Sequence, residues 1–440
     1  MINRAPIGAC LLAAVLLAGC SMFEGGADKQ KLPGKRISIL SLDRQLQPDP
    51  ALSEVDVRLP KPQANGDWPQ AGGFPNHAMY HLALADELEE AWSVGIGSGS
   101  TSRASLLSPP IVVGGHLYAL DSAAIVTAFD ATSGERLWHV NVTPAEDEAK
   151  GAGGGIAYAD GRLFITTGFA QIVALDASSG REIWRQAESA PFRSPPTVAD
   201  GRVFAVTVDN RLEVLAADDG RRLWGHAGTT EPAGLLGGGS PAVEGDVAII
   251  PYSSGELVAL RVENGRVLWV DSLAAARRTD ALSALADIRG RPVIDRGRVF
   301  AVGHSGRMVS IDLRTGERVW EQDVGGTDMP WVAGDYVYVL SNRGELFCMT
   351  RADGRVRWVT EMPRYEDLEK KKGALHWSGP VLAGDRLILT ASDGEAISIS
   401  PYTGVVLGRM ELPDGVFLAP IVAQKTLYVL TDAAKLVALR

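Results

Sequence analysis

One spacing governs this sequence. Seven turn glycines, Gly134, Gly180, Gly220, Gly265, Gly316, Gly354 and Gly404, each close a phrase such as "ALDASSG" or "SIDLRTG". Counting back 24 residues from each gives Pro110, Ile156, Pro196, Pro241, Pro292, Pro330 and Pro380, with no gap needed. Counting forward four gives Trp138, Trp184, Trp224, Trp269, Trp320 and Trp358, and in the seventh copy Gly408. A block of fixed length that recurs about every 40–50 residues marks a repeat architecture. It overrides the two or three domains that 440 residues would otherwise suggest.

Inside a block, "PPIVVGGHLYALDSAAIVTAFD" holds three short apolar runs separated by turns, which read as antiparallel strands. A fourth strand carries the Trp. The proline stands before the first strand, where its missing N–H costs no ladder bond. The glycine supplies positive φ in the turn between the third and fourth strands. A Trp on the outer strand has the area to fill the gap to the next sheet. Four-stranded units of this period predict an all-β fold, a β-propeller. Seven units start between Pro110 and Pro380. An eighth starts at Pro420 and stops at Arg440 without its fourth strand, while "ELEEAWSVG", with Trp92, precedes the first block without strands of its own. That segment is expected to complete the last blade, giving an eight-bladed ring over residues 68–440 and leaving no free edge at the junction.

The N-terminus reads differently. "MINRAPIGACLLAAVLLAGC" has a basic Arg4, an apolar run and small residues before Cys20. It has the layout of an export signal over residues 1–19 and is too short to span a membrane. Its "LAGC" ending resembles a bacterial lipobox, which implies cleavage before Cys20 and acylation of that thiol; Ser21 after it implies retention at the outer membrane. Residues 20–67, rich in Gly, Pro and charge, read as a flexible lipidated tether. With Cys10 removed and Cys20 acylated, Cys348 has no partner; it is expected to be a small buried hydrophobe.

The net charge of −10 and the lack of a basic patch argue against nucleic acid. The glycine-rich stretches "GIGSGS" and "GLLGGGS" do not open a helix in a βαβ unit, so they fail as phosphate loops. His77 and His81 lie four apart with no third ligand in view, which points to a structural role rather than a metal site. No nucleophile–base pairing is recognisable, so no catalytic residue, metal or cofactor is assigned.

The phrases "ALDASSGREIW" and "DWPQAGGFPNHAMYHL" resemble pyrroloquinoline-quinone-type propeller repeats. Together with the lipobox and eight blades, the chain resembles the BamB-like lipoproteins of the outer-membrane β-barrel assembly machinery. The resemblance implies a non-catalytic scaffold on the periplasmic side of the outer membrane. Its partners would be the barrel-inserting subunit and unfolded outer-membrane protein clients. The rival readings are a quinone-dependent dehydrogenase and a periplasmic sensor or ligand-binding propeller. Many such dehydrogenases stack an adjacent-cysteine pair on the quinone, and this chain has none.

With the blocks fixed in length, all variation falls in the loops that link one blade to the next. The longest interval runs 27 residues from Gly265 to Pro292, where Leu282, Leu285 and Ala286 have helical spacing. The loop after Trp224 sets Leu235 and Leu236 among glycines. These two loops flank blade four. Apolar residues on projecting loops suit a protein interface or a plug of the propeller mouth. The family resemblance implies the interface. Leu235 matches its leucine, Leu236 stands where the family has arginine, Asp287 matches the first of two acids, and Arg289 replaces the second. Asp287 is expected at the rim. The loop "EDLEKKK" reads as a solvated charged turn.

Overall fold

Each repeat folds as a four-stranded antiparallel meander. In blade three the strands are Thr197–Ala199, Arg202–Val206, Arg211–Ala216 and Arg222–Ala227, hydrogen-bonded in chain order. The computed structural model describes residues 46–102, 104–145, 153–274 and 285–440. Eight such sheets make the ring. The proline of the block stands just before the first strand in most blades. Blade seven differs: its first strand, Trp377–Ala383, contains Pro380, and its register shifts there between Ser378 and Val381.

A cross-strand row explains how each blade packs. In blade three, Phe204 lies opposite Val214, and Val214 opposite Trp224. The residue facing the tryptophan is never large. Ala128, Ala174, Ala259, Ser310 and Cys348 face Trp138, Trp184, Trp269, Trp320 and Trp358. A slim third-strand residue lets the second-strand aromatic reach the tryptophan. Tyr118–Trp138, Phe164–Trp184, Phe204–Trp224, Phe300–Trp320 and Tyr338–Trp358 have ring centroids 5.9–6.1 Å apart. Large and small residues thus alternate across the sheet. Cys348 fills one of these slim positions. It is fully buried, and burial pushes its thiol pKa far up, as expected of an inert core residue.

Each tryptophan also locks onto the next blade. The indole N–H of Trp92, Trp138, Trp184, Trp224, Trp269, Trp320 and Trp358 donates to the carbonyl three residues before the next turn glycine, at 2.9–3.3 Å. The acceptors are Ala131, Ala177, Ala217, Val262, Leu313, Arg351 and Pro401. The ring covers that glycine so closely that an added Cβ would meet it at 2.5–2.8 Å. The seven glycines also have φ of 71–75°. Glycine is therefore required twice, by the turn and by the ring above it.

The ring closes as the sequence predicts. Glu90–Gly95 pairs with Lys435–Leu439, Trp92 faces Ala438, and Tyr428 packs on Trp92 at 5.9 Å. Glu89 and Arg440 exchange both backbone hydrogen bonds, at 2.7 and 2.9 Å. Blade eight therefore has a chain break where every other blade has a turn. Blade seven faces that break, so a tryptophan there would have no turn glycine to cover. Gly408 stands in its place, with open space around its α-carbon.

The expected tether is packed over its described part, and the compact unit begins at Leu46. Asp49 N donates to Val356 O at 2.8 Å, and Arg357 donates to the carbonyls of Ser53 and Val55, so this stretch lies along the outer strand of blade six. Leu52 and Val57 are buried there. Residues 65–84 then circle the axis and touch every blade in turn. Asn65 bonds Gln424 of blade eight, Trp68 bonds Val112 of blade one, and Pro69 bonds Tyr158 of blade two. Gln70 bonds Val198 of blade three, Pro75 bonds Val243 of blade four, and Asn76 bonds Ile294 of blade five. Tyr80 accepts from the Trp331 indole of blade six, and Leu82 bonds Leu382 and Gly384 of blade seven. Residues 65–84, with "DWPQAGGFPNHAMYHL" among them, thus form a plug that fills one end of the ring.

Candidate partner-binding face

The plug bonds the first strands near their turns into the second strands, so it closes the face opposite the blade-linking loops. The loop face is the other end of the axis. His77 and His81 belong to the plug. His77 Nδ1 lies 2.7 Å from Pro292 O, and His81 Nδ1 lies 2.8 Å from Pro60 O while its Nε2 accepts from Asp385 N at 3.1 Å. Burial lowers the His77 pKa to about 3 against its backbone bond, with the Arg291 charge adding to the drop. Both histidines bond backbone groups within the packed plug, which is the structural role expected from the lack of a third ligand.

On the loop face one buried ion pair joins the loop into blade three to the loop between blades four and five, and its carboxylate also holds the loop into blade four. Arg193 Nη2 donates to Asp287 Oδ1 at 2.7 Å and Oδ2 at 2.8 Å. Both side chains are almost fully buried. Asp287 Oδ2 also accepts from Leu235 N at 2.8 Å, and Arg193 reaches Gly237 O and Asn210 Oδ1. Asn210 in turn accepts from Ser253 and donates to Thr229 O. The backbone of "GLLGGG" is held by this network. Leu235 is partly buried against it, and Leu236 is left half exposed between glycines.

This corrects the expected position of Asp287. It is at 0% exposure, not at a rim, because its carboxylate is spent on Arg193 and the Leu235 amide. Sequence reasoning missed Arg193, which lies 94 residues away on the loop into blade three and carries no motif. The helical spacing at Leu282 falls outside the described residues; Leu285 and Ala286 are described and form no helix. The "EDLEKKK" loop forms a small hairpin, Tyr365–Asp367 with Lys372–Ala374, and its Leu368 is exposed.

Toward the axis the loop face is cationic and aromatic. Arg289 stacks over Phe417, with Cζ 4.6 Å from the ring centroid, and Phe417 stacks on His376 at 4.7 Å. A Cβ on Gly237, next to Leu236, would lie 3.7 Å from both Arg289 Nε and Leu107. Deeper along the axis the Arg291 side chain turns toward the plug, where a Cβ on Gly72 would lie 3.3 Å from its Cδ. Burial first and then the Arg289 charge lower the Arg291 pKa to about 10, against Asp328. It remains a cation at neutral pH. Among the described residues, no group of three or more His, Cys, Asp or Glu side chains converges to hold a metal. A second concavity, an open basin of about 700 Å³, lies on the plug face and is lined by Phe74, Asn76, Tyr80, Asp160, Asp200 and Glu244.

Comparison with known proteins places this architecture. The family profile described as outer membrane protein assembly factor BamB matches residues 122–360, more than half of the chain. The chain belongs to the BamB family. An outer membrane protein assembly factor BamB from Alkalilimnicola ehrlichii is 36% identical over 353 residues, covering 80% of this chain and 88% of its relative. A second profile, the β-propeller domain of glucose, ethanol and alcohol dehydrogenases, matches residues 82–160. Among solved structures, BamB from Moraxella catarrhalis has a TM-score of 0.69 at 19% identity, covering 80% of this chain and all of that one. Quinohemoprotein alcohol dehydrogenase from Comamonas testosteroni has 0.66 at 15%, covering 85% and 80%. At these identities the structural likenesses show the fold alone.

Proposed function

We propose that this chain is a non-catalytic scaffold of outer-membrane β-barrel assembly. It is anchored by lipid at Cys20 on the periplasmic side of the outer membrane, and its loop face docks the barrel-inserting subunit of that machine. Precursors of outer-membrane proteins are the clients it helps deliver. The observation that carries the docking reading is the presentation of Leu235 and Leu236. A buried ion pair, Arg193–Asp287, fixes the loop backbone, and Leu236 is held out to solvent where the propeller core has no use for it. Exposed apolar side chains on a preorganised loop are what a protein interface needs. Leu235 and Leu236 are the contact residues in this reading, and Asp287 supports them from below.

The test is a crosslinked pull-down from membranes. Wild type should capture the barrel-inserting subunit, identified by mass. Leu235→Asp with Leu236→Asp should abolish the capture, because docking would bury unpaired charge. Capture at wild-type levels by the folded double variant would place the interface elsewhere. Cys20→Ala should leave the protein outside the outer-membrane fraction; normal processing and fractionation of that variant would refute the anchor.

A further inference from the structure

One sheet among the described residues belongs to no blade. Tyr365–Asp367 pairs with Lys372–Ala374 in the linker from blade six to blade seven, so this hairpin stands on the loop face. A lone two-stranded hairpin is marginal in water and needs support. Its base has that support. Met362 N donates to Gly344 O at 2.7 Å, the Trp377 indole donates to Pro363 O at 2.7 Å, and Leu375 N donates to Arg364 O at 3.0 Å. Met362 and Trp377 are buried. The tip is different: Leu368 is 65% exposed, more than any other large apolar side chain among the described residues. The charges beside it cancel. "EDLEKKK" holds three acids and three lysines, and Lys370 pairs with Asp367 at 3.2 Å. The tip therefore offers a partner an apolar side chain rather than a net charge.

A line of contacts crosses the mouth between Leu236 and this hairpin. Gly237, beside Leu236, lies against Arg289, where an added Cβ would be 3.7 Å from Nε. Arg289 stacks on Phe417, and Phe417 stacks on His376. His376 follows Leu375 at the hairpin base. Arg289, Phe417, His376 and Leu375 are each partly exposed. Two of them are held by their backbones: Phe417 O accepts from Ser378 Oγ at 2.7 Å, and His376 N donates to Ser392 Oγ at 3.0 Å. We infer that this line is one continuous docking surface for the protein bound on the loop face, with Leu368 as its far anchor. An apolar stretch of that protein crosses the mouth from Leu236 to Leu368. The inference rests on the docking reading above and extends it from one side of the ring to both. The occupant is the same protein because the surface is continuous with Leu235 and Leu236. Exposed leucines at its two ends, each on a segment fixed by hydrogen bonds, are apolar anchors that lose little freedom on binding.

The test measures association of the full-length chain, in detergent, with the barrel-inserting subunit from the same organism. Leu368→Ser should weaken association at least fivefold, by the same factor at low and high salt, since the lost contact is apolar. Leu368→Met, which keeps an apolar side chain, should stay within twofold of wild type. So should Leu407→Ser, a leucine 57% exposed on the outer strand of blade seven and away from the loop face. An equal loss at Leu407→Ser would mean general adhesion to exposed apolar groups and overturns the inference. Association of Leu368→Ser within twofold of wild type, while Leu235→Asp with Leu236→Asp abolishes it, overturns the inference and leaves the docking reading intact. Absence of association by wild type removes both. If wild type is a dimer that Leu368→Ser dissociates, the occupant is a second copy. If Leu368→Ser loses only the capture of an unfolded outer-membrane precursor, the occupant is a client. Either result makes the assignment wrong. Should Leu368→Ser fail to fold, a photoreactive amino acid at position 368 decides: a crosslink to the subunit supports the anchor, and none overturns it.

Discussion

A methyl group at Gly220 would lie 2.7 Å from the ring of Trp184, on a backbone at φ 72°. Gly201 has nearly the same φ, 70°, but open space around it. The pair separates two costs. Gly201→Ala should lose about 1–2 kcal/mol from the left-handed backbone alone. Gly220→Ala should lose a further ~1–3 kcal/mol from overpacking against the indole. Urea titration of both variants reads the difference, and equal losses would mean that the tryptophan does not need the bare α-carbon. The turn glycines and the tryptophans are legible in the sequence because they recur at fixed spacing. The slim residue facing each tryptophan is not, because Ala, Val, Ser and Cys share size and no chemistry. Asp287 shows a different limit. Its type and loop are legible, but its burial depends on Arg193 from another loop. Asp287→Ala should therefore cost ~3–5 kcal/mol by leaving Arg193 buried and unpaired. A loss below about 1 kcal/mol in the same titration would restore the rim position.

At the scale of elements, the closing strand and the plug do different work. Trp92 is the inter-blade wedge supplied from outside the repeats, and it binds blade eight to the turn of blade one. Trp92→Ala should cost ~3–5 kcal/mol, a large share of the stability of most proteins. A parental melting temperature would contradict this closure. The strand's role follows from counting, since the eighth block lacks one strand and the segment before the first block has one to spare. The plug does not follow. "DWPQAGGFPNHAMYHL" has no period, because its bonding residues meet one blade after another at irregular intervals. Its His77 makes the plug sensitive to acid. The pKa is lowered from 6.5 to about 3, so the unfolded chain binds the proton first as pH falls. Stability should be full above about pH 6.5 and drain away as pH drops toward 3, by roughly 3 kcal/mol at pH 4. The neutral ring fits the geometry, since Nε2 is buried without an acceptor for a second proton. His77→Gln should flatten this part of the pH–stability curve, measured by denaturant titration between pH 4 and 7. An unchanged slope would assign the acid sensitivity to other groups.

For the whole molecule, the two ends of the axis have opposite characters. One is closed by a plug bonded to all eight blades, and the other is framed by loops whose exposed leucine rests on a buried ion pair. A ring of near-identical units gives rigidity, and the irregular loops on one face give identity. That division was visible in the sequence as constant blocks against variable intervals, but which loop residues face outward was not. The most direct measurement of the central claim places a photoreactive amino acid at position 236 on the loop face and, separately, at position 74 in the basin on the plug face, in cells carrying the intact assembly machinery. The account predicts a crosslink from position 236 to the barrel-inserting subunit and none from position 74. A crosslink to that subunit from position 74, with none from 236, would contradict it.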